Sequence, residues 1–595
     1  MRKRLLALCL ALITLASVFT ASAGAEGDVE VDNTYTIVYE TPDLSAAAQK
    51  AADYMQKITG QTYAAAPRAQ APYIKIAYDS AAVEKGYAIR EQNGNVLITG
   101  CNLAQAVRGV YGFLEKFGGI RCYTDDIFQY TKSAVTVPEG TDYRYEPFFE
   151  YTDTDWLSPR DTEFSLFNGL NGAEYRTIPT EMGGVVDYIS SFAHSLTNQF
   201  CSKDKYFDEH PEYFALYRGF RTKEQLCLSN PDVLRIVTQE VLDLLKERHD
   251  PNAELQIVSL TQNDNIFYCT CPECRKTDIK HGSHAGTMLA FTNAVAREVK
   301  KAGYDNVALD TFAYRYTRKT PTGIVPEDNV MVRLCSIECC FSHPMDDPDC
   351  KANAAFMKDL EGWSKICNRV YIWDYCTNYC NYVGPFPDFA TLQRNMQIFY
   401  EHNVKGIYEE GNYTTPPTDL EFAELRGYLI GRLFRDPYCD YQSEMENFLN
   451  AYYGLGGPYM QKIVNMMSED AAKKHLGIYE SMTNTFSFNR KEIQQMDALW
   501  ENAVNAAEGE AKQNVIHSNV CWRYWKMKNH KSEFASLGTY KEKKAELMQD
   551  IADSGVTKLM EAAEVRSFFV SLFQGLFFKL YGLVNGVLNI LYGVF

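Results

Sequence analysis

The sequence predicts an α/β protein built on a (β/α)8 barrel, with a small α/β domain before the barrel and a helical domain after it. Three observations predict this class. Between residues 146 and 440, about eight short apolar segments each end in polar or aromatic residues and precede a helical pattern, as barrel strands do. Residues before 146 show a separate alternation of strand and helix signals, and residues after 440 show no strand signals. At 595 residues the chain is long enough for three such cores.

The first predicted domain covers residues 28–145 and alternates strands with helices. The segment LSAAAQKAADYMQKITG predicts a helix that ends at Gly60, and NLAQAVRGVYGFLEKFGG predicts a second helix that ends at Gly118-Gly119. A hairpin is predicted at Asn93-Gly94, because this dipeptide favours tight turns between strands. Nothing in this domain indicates chemistry of its own.

The predicted barrel, residues 146–440, would carry its functional residues at the carboxyl ends of the strands, where barrel enzymes place their chemistry. The segment ELQIVSLTQND shows the pattern, since an apolar run emerges directly into Gln262, Asn263 and Asp264. We expect the eight strand ends near Trp156, His194, Tyr213, Asp264, Tyr314, Glu338, Asp374 and Glu410.

The predicted helical domain, residues 441–566, is followed by an apolar tail, residues 567–595. The tail carries a single charge, Lys579, and about 20 apolar residues suffice to span a bilayer. It therefore predicts a membrane anchor at the C-terminus. Polar residues within the tail leave two alternatives open, an interfacial helix or a helix that packs on protein.

Residues 1–25 have the pattern of a secretory signal peptide, with Arg2, Lys3 and Arg4 before an apolar run and small residues near its end. The protein is therefore predicted to be secreted or held at the cell surface.

The formal net charge is −17, and removal of the three basic residues would make it more negative. An acidic chain of this kind argues against nucleic acid as a partner.

Several phrases of the middle region resemble the family catalogued as domain of unknown function 4838. The first domain is similar to the α/β domain that precedes the barrel in β-hexosaminidases and α-glucuronidases. The resemblance implies a carbohydrate-active barrel, and in particular a glycoside hydrolase. The phrases that carry it are HPEYFALYRGFR (210–221), LCLSNP (226–231), SLTQNDNIFYCTCPEC (259–274), TFAYRYTRKTP (311–321), WDYCTNYCNYVGPFP (373–387) and GIYEEGNY (406–413).

The end of the fourth strand departs from the hexosaminidase pattern. β-Hexosaminidases carry an adjacent Asp-Glu pair there, in which the Glu is the acid and the Asp orients the acetamido group of the substrate. The matching positions here are Asn263 and Asp264. The shorter acid and the amide argue against substrate-assisted cleavage of an N-acetylhexosamine.

Glycoside hydrolysis usually needs two carboxyl groups across the scissile bond, one protonated and one ionised. Asp264 is the predicted general acid, although an Asx turn or a helix cap is the alternative for a residue of this type. Glu410 or Asp374 is the predicted base or nucleophile. Because neighbouring residues of a strand face opposite sides, only one of Glu409 and Glu410 is expected to face the barrel axis.

Aromatic and polar side chains at the strand ends predict a site for a polyhydroxylated ligand, since flat rings stack on sugar faces and polar groups fix orientation. Any single ring among them is more often part of a core, and a lone histidine is more often structural. The candidates for substrate binding are His194, Asn263, Tyr314, Arg315, Trp373, Tyr375 and Asn412.

A cluster of cysteines follows Asp264 directly. Cys269, Cys271 and Cys274 form a C-x-C-x-x-C pattern, and the family resemblance places Cys227 in a nearby loop. Four thiolates of this kind are the ligands of a structural zinc ion, and disulfides within the same set are the alternative in an exported chain. In either case the cluster would hold the loop that follows Asp264.

The function predicted from the sequence is therefore an exported glycoside hydrolase that acts by carboxylate acid/base catalysis on an oligosaccharide, a polysaccharide or a glycan. A non-catalytic carbohydrate-binding protein on the same scaffold is the alternative, and a metal-dependent hydrolase that uses the cysteines is a third hypothesis. Catalysis is predicted to need no cofactor. The expected partners are a carbohydrate and, through the tail, a membrane.

Overall fold

The computed structural model describes residues 27–413, 420–531, 537–561 and 563–564. The signal peptide and the apolar tail therefore lie outside the described residues and stay predictions. Within those ranges, no helix has the length and the apolar content needed to cross a membrane.

The described residues form two compact units. One contains the residues up to Arg121 with Tyr130–Glu146 and Glu181–Gly183, and the other contains Cys122–Gln129, Pro147–Thr180 and the residues from Gly184 onward.

The first unit has a six-stranded sheet of mixed direction, on which two helices pack. The predicted hairpin turn is present, with positive φ angles at Asn93 (52°) and Gly94 (78°). The helices are α1 (Ser45–Thr59) and α2 (Leu103–Lys116). The strands up to residue 145 are β1 (Val29–Val31), β2 (Thr36–Tyr39), β3 (Ala64–Ala66), β4 (Tyr73–Tyr78), β5 (Tyr87–Gln92), β6 (Asn95–Gly100), β7 (Ile120–Cys122), β8 (Phe128–Tyr130), β9 (Val135–Val137) and β10 (Asp142–Tyr145).

The second unit is built on a parallel sheet of seven strands, and the fold class predicted from the sequence is confirmed. The strands run in the order β11, β19, β18, β17, β16, β15 and β12, all parallel. They are β11 (Tyr151–Thr154), β12 (Asp187–Tyr188), β15 (Gln256–Ser259), β16 (Val307–Ala313), β17 (Val330–Cys335), β18 (Val370–Tyr375) and β19 (Val404–Glu410).

A short segment takes the place of the eighth strand. The carbonyl oxygen of Thr152 in β11 accepts the backbone N–H groups of Asn171 and Gly172 at 3.2 and 3.0 Å. Gly172 in turn forms a parallel bridge with Val186, immediately before β12. The two edge strands of the sheet are thereby joined, which completes the ring of eight positions.

The segment YFALYRG does not supply this strand, and the expectation of a barrel strand near Tyr213 is wrong. Its strand β13 (Phe214–Tyr217) pairs antiparallel with β14 (Phe220–Leu226), so the two form a hairpin apart from the barrel sheet. Positive φ angles at Arg218 (50°) and Gly219 (88°) make the tight turn. The segment at Asn171 and Gly172, which takes the second position of the barrel, contains no apolar run. The sequence pattern therefore does not identify it.

Strand alternation determines which side chains point into the barrel. One core cluster joins Tyr371 of β18, Tyr408 of β19 and inward residues of the other strands. Trp373 and Glu410 lie two residues beyond them and therefore share the inward face, whereas Asp374 and Glu409 face the surrounding helices. We call the carboxyl-terminal end of the strands the mouth.

Helices surround the barrel and continue to residue 553, after which the short strands β20 (Lys558–Met560) and β21 (Ala563–Glu564) pair. The helical prediction to residue 566 is thus wrong for the last segment. The helices of the second unit are α3 (Thr162–Asn168), α4 (Lys203–Tyr206), α5 (Pro231–Arg248), α6 (Pro272–His281), α7 (Ala285–Lys301), α8 (Lys351–Ile366), α9 (Phe389–Glu401), α10 (Ala423–Arg435), α11 (Tyr441–Tyr453), α12 (Gly457–Ala471), α13 (Met482–Thr485), α14 (Arg490–Ala506), α15 (Gly509–Asn529) and α16 (Leu537–Asp553).

Candidate active site

Glu410 is the carboxyl group that faces the barrel axis at the mouth. The indole Nε1 of Trp373 donates a hydrogen bond of 2.6 Å to its Oε2, and the side chain keeps partial access to solvent. Burial raises the pKa of Glu410 to about 8, and the negative charge of Asp155 adds to the rise, while Trp373 and Tyr379 partly oppose it. Glu410 is therefore protonated at neutral pH and can donate that proton.

Asp264 lies in the loop that follows β15, in a different environment. Its side chain is 50% exposed, and its Oδ1 accepts hydrogen bonds from the Tyr314 hydroxyl at 2.6 Å and from Arg315 Nε at 2.9 Å. Gln262 secures this arrangement, because its Nε2 donates to Thr317 Oγ1 at 2.7 Å and so ties the turn after β16 to the end of β15. A carboxylate with a guanidinium beside it is thus presented at the mouth.

One aromatic floor connects the two carboxyl groups. The Phe312 ring lies 5.6 Å from Trp373, which bonds Glu410, and 6.0 Å from Tyr314, which bonds Asp264. Both carboxyl groups also act electrostatically on the buried hydroxyl of Tyr375, whose pKa is raised chiefly by burial. Glu410 and Asp264 therefore border one continuous surface of rings.

A buried ion pair lies beneath this floor. Arg333 of β17 donates to the carboxylate of Asp310 of β16, and its guanidinium stands 4.2 Å from the centre of the Phe192 ring and 5.0 Å from that of Trp373. Removal of either partner would leave an uncompensated charge in the barrel, which is strongly destabilising. The pair thus holds the rings of the floor in place from below.

Three residues of the mouth have left-handed backbone conformations, which are uncommon outside glycine. They are His194 (φ 55°), Arg315 (φ 50°) and Tyr413 (φ 37°). Such conformations cost of order 1–3 kcal/mol each and cluster at functional sites. Four other described non-glycine residues with positive φ, Asn93, Arg218, Asn403 and Glu421, lie elsewhere, so these three conformations are consistent with a functional site without marking it.

His194 is positioned as a hydrogen-bond acceptor toward the mouth. Its Nδ1 lies 2.7 Å from the carbonyl oxygen of Gln262, a contact that requires the proton to be on Nδ1. Its ring lies 5.8 Å from that of Phe312 and is partly exposed. In this tautomer Nε2 accepts hydrogen bonds, as from a sugar hydroxyl.

The loop after Glu410 is shaped by Asp155. The Asp155 carboxylate accepts the backbone N–H groups of Gly411, at 2.5 Å, and of Tyr413. A side chain at position 411 would collide with the Trp156 ring, since a Cβ there would lie 2.6 Å from it. Glycine is therefore required directly after Glu410.

Glu561 is a mouth residue that the sequence analysis missed. It comes from the turn after β20, where its N–H donates to the Tyr379 carbonyl oxygen at 2.9 Å. Its Oε1 accepts the Tyr413 hydroxyl at 3.0 Å. Burial raises its pKa, and Asp264 contributes to the rise, so a third carboxyl group borders the site.

The structure does not bring Asp374 to the mouth, and we withdraw it as a candidate base or nucleophile. Asp374 lies on the outer face of β18, where its carboxylate accepts a hydrogen bond from the Ser336 hydroxyl. Burial raises its pKa to about 7 and also raises that of Glu409, which faces the same side of the sheet. These two carboxyl groups form a buried pair outside the barrel.

Four predicted sugar ligands are buried within the mouth. Asn263 Nδ2 donates to Thr197 Oγ1 and to the Glu224 carbonyl oxygen, both at 2.6 Å, so it anchors the hairpin of β13 and β14. Asn412 accepts the Thr377 hydroxyl at 2.5 Å and joins two strand-end loops. Tyr375 is 6% exposed. Of the predicted binding residues, His194, Arg315 and Trp373 are the more accessible ones, and Tyr314 contacts Asp264 from a buried position.

The four predicted cysteines meet in one buried cluster. The thiol sulfurs of Cys227, Cys269, Cys271 and Cys274 lie within 4.8 Å of one another, and all four are free thiols. Cys227 Sγ and Cys271 Sγ are 3.6 Å apart. The backbone N–H of Leu216 donates to Cys269 Sγ at 3.3 Å. The cluster closes the loop that follows Asp264 against the hairpin of β13 and β14.

Comparison with solved structures finds glycoside hydrolases of low sequence identity. A Flavobacterium johnsoniae chitobiase is 11% identical, with a TM-score of 0.43 over 90% of this chain and 91% of that chain. A GH138 enzyme that targets pectin rhamnogalacturonan II is 10% identical, with a TM-score of 0.42 over 87% and 90%. The Streptomyces plicatus N-acetyl-β-hexosaminidase is 12% identical, with a TM-score of 0.42 over 72% and 91%.

Among curated proteins, the comparison finds no match. A family model, described as a domain of unknown function (DUF4838), matches residues 122–465. This range is more than half of the chain and includes every strand of the barrel. The protein therefore belongs to the DUF4838 family.

Proposed function

We propose that this protein hydrolyses glycosidic bonds, with Glu410 as the proton donor and Asp264 as the partner carboxylate. The observation that supports this most strongly is the contrast between the two environments on one aromatic floor. Burial raises the pKa of Glu410 to about 8, whereas Asp264 is half exposed beside the Arg315 guanidinium. A buried carboxyl group that keeps its proton and a second carboxyl group exposed at the same site are the two groups that this chemistry requires.

In the proposed reaction the proton of Glu410 passes to the glycosidic oxygen as the bond from that oxygen to the anomeric carbon breaks. The positive charge that develops on the sugar ring is stabilised by the Asp264 carboxylate. A water molecule then adds its hydroxyl group to the anomeric carbon, and its remaining proton passes to the Glu410 carboxylate, which restores the acid. The roles are exchanged relative to the expectation from the sequence, in which Asp264 was the acid.

The surroundings of the two carboxyl groups suit a sugar. The partly exposed face of Trp373 offers a surface for stacking, and His194 Nε2 and the Arg315 guanidinium are a hydrogen-bond acceptor and donor for hydroxyl groups. Rings combined with a small number of polar groups are the usual lining of a site for a polyhydroxylated ligand. A carbohydrate is the partner that we propose on this basis.

Hydrolysis of a panel of aryl glycosides tests the proposal. The panel should contain α- and β-linked sugars, acetamido sugars, uronides and short natural oligosaccharides. We expect turnover of at least one member. If none is turned over while oligosaccharides still change the fluorescence of the wild type but not of a Trp373→Ala variant, the protein binds carbohydrate without cleaving it.

The pH dependence of turnover is predicted from the state of Glu410. Because Glu410 must be protonated to donate, kcat/KM is expected to fall as the pH rises through about 8. The measurement is kcat/KM between pH 5 and 10 for the best substrate of the panel. The residual activity of a Glu410→Gln variant should lack this alkaline limb. If kcat/KM of the variant still falls at alkaline pH, the titration of another group causes the fall.

The four-cysteine cluster is proposed to bind a structural zinc ion. A tetrahedron with zinc–sulfur bonds of about 2.3 Å places its sulfurs about 3.8 Å apart, close to the 3.6 Å between Cys227 and Cys271 and far beyond the roughly 2.05 Å of a disulfide. Four sulfur ligands leave no open position for a substrate. The ion would therefore hold the loop after Asp264 and take no part in the reaction.

Metal analysis of the purified protein checks this proposal. Cys271→Ala is expected to lose one zinc ion per chain and to lower the melting temperature, because the ion would stabilise only the folded state. Cys439→Ala, which removes a partly exposed cysteine away from the cluster, should keep the full zinc content. Non-reducing mass spectrometry that finds Cys227, Cys269, Cys271 or Cys274 in a disulfide would contradict the proposal.

A further inference from the structure

A second group of metal-ligand side chains lies where a barrel loop meets the helical region. Cys340, His343 and Cys350 come from the loop between β17 and α8, and His475 follows α12. One ligand atom of each residue lies within 4.8 Å of those of the other three. Two of the four side chains are buried, His343 is partly buried and His475 is exposed.

We propose that Cys340, His343, Cys350 and His475 bind a structural zinc ion. Cys340 Sγ lies 3.2 Å from His343 Nδ1, and Cys350 Sγ lies 3.5 Å from His475 Nδ1. Zinc with bonds of about 2.3 Å to sulfur and about 2.05 Å to nitrogen places these atoms about 3.6 Å apart in a tetrahedron. Two cysteines and two histidines form a complete set of ligands for a closed structural site.

The orientation of His343 is that of a metal ligand. Its Nε2 lies 2.9 Å from the carbonyl oxygen of Ala472, so Nε2 carries the proton and donates it. This leaves Nδ1 as the ring nitrogen that faces the cluster, where it lies 3.2 Å from Cys340 Sγ. A ligating histidine almost always donates its other ring N–H to such an oxygen, which orients the ring and sets the tautomer.

The cysteines are held by the surrounding backbone and by a helix. Asn353 accepts the Cys340 N–H at 2.8 Å and donates to the Cys340 carbonyl oxygen at 3.0 Å, so this part of the loop has a defined shape. Cys350 directly precedes the 16-residue helix α8, and its side chain makes no capping bond.

The ion would join the barrel to a segment that borders the active site. The Phe341 N–H donates to the Leu476 carbonyl oxygen at 2.8 Å, beside the cluster. Two residues further along, the Ile478 carbonyl oxygen accepts the N–H of Tyr379 at 2.8 Å. The side chain of Tyr379 in turn opposes the rise in the pKa of Glu410, and its backbone carbonyl oxygen accepts the N–H of Glu561. A zinc ion at this place would stabilise one side of the mouth.

The zinc content of His475 variants tests the proposal. Because His475 is exposed, His475→Ala is expected to fold, which circular dichroism checks, and to contain one zinc ion per chain fewer than the wild type. His475→Cys keeps a fourth ligand and should restore the lost ion. His249→Ala is the matched control, since His249 bonds Asn306 at 2.6 Å outside both cysteine clusters and its removal should leave the zinc content unchanged.

A second readout follows the ligands themselves. After replacement of zinc by cobalt, the wild type should show sulfur-to-cobalt absorption that decreases in His475→Ala and returns in His475→Cys. Full zinc content in His475→Ala would overturn the proposal, as would a Cys340–Cys350 disulfide found by non-reducing mass spectrometry. Each variant is compared with the wild type, so the result does not depend on the occupancy of the four-cysteine cluster.

Discussion

Glu410→Gln is expected to slow the hydrolysis of a glycoside with a poor leaving group by about 10²–10⁴-fold, the usual contribution of a positioned acid. Glutamine has nearly the same shape and still accepts the hydrogen bond from Trp373 Nε1, so the floor of the site should be unchanged. What the variant lacks is a proton for the departing oxygen. The loss should therefore appear in kcat, while the affinity for a product sugar changes little.

Glu409→Gln is the matched control for this substitution. Glu409 is adjacent in the chain but faces the opposite side of β19, and burial raises its pKa well above the usual value for a glutamate. The control should retain wild-type kcat. Equal losses in the two variants would show that the effect arises from damage to the strand, and would contradict the role of Glu410.

Asp264→Asn is the substitution with the second large expected effect, again about 10²–10⁴-fold in kcat. The amide oxygen can still accept from the Tyr314 hydroxyl and from Arg315 Nε, so the local structure should persist. The variant lacks the negative charge that balances the developing positive charge on the sugar. Addition of azide or formate should restore part of the activity, because a small anion can occupy the space near the lost charge.

Glu338→Gln is the control for Asp264→Asn. Glu338 also follows a barrel strand and also pairs with an arginine, Arg318, at 2.7 Å. Arg318 keeps Asp359 as a second partner at 2.8 Å, so loss of this partly buried pair should leave the fold and the activity largely unchanged. Wild-type activity in Asp264→Asn, with or without azide, would contradict the assignment of Asp264.

Strand periodicity allowed part of the site to be predicted from the sequence. Opposite orientations for Glu409 and Glu410 follow from the two-residue repeat of a strand, and the structure places them so. Asp374 shows the limit of that rule, because the repeat does not say which of the two faces points inward. In β18 the inward face carries Tyr371, Trp373 and Tyr375, and the position of Asp374 follows from it.

Protonation states could not be predicted, because they depend on the distant parts of the chain that pack around each carboxyl group. Asp264 and Glu410 both end an apolar strand in the sequence. Only the fold shows that Arg315 accompanies one of them and that Asp155 and buried rings surround the other. The exchange of the acid and the partner carboxylate follows from that difference.

Contacts over long sequence separations explain what the sequence analysis missed. Glu561 reaches Tyr413 across 148 residues, and His475 reaches Cys350 across 125. Neither residue belongs to a local pattern that indicates a site. The four-cysteine cluster was recognisable because three of its members lie within six positions and the family resemblance supplied Cys227.

The dependence of the Glu410→Gln variant on the leaving group shows whether Glu410 donates the proton. The measurement is the ratio of wild-type to variant kcat/KM for two glycosides of the same sugar, one with a dinitrophenyl leaving group and one with an alkyl alcohol. We expect a ratio of about 10³ for the alkyl glycoside and less than about 10 for the dinitrophenyl glycoside, whose leaving group needs no proton. Equal ratios for both substrates would show that Glu410 does not donate the proton.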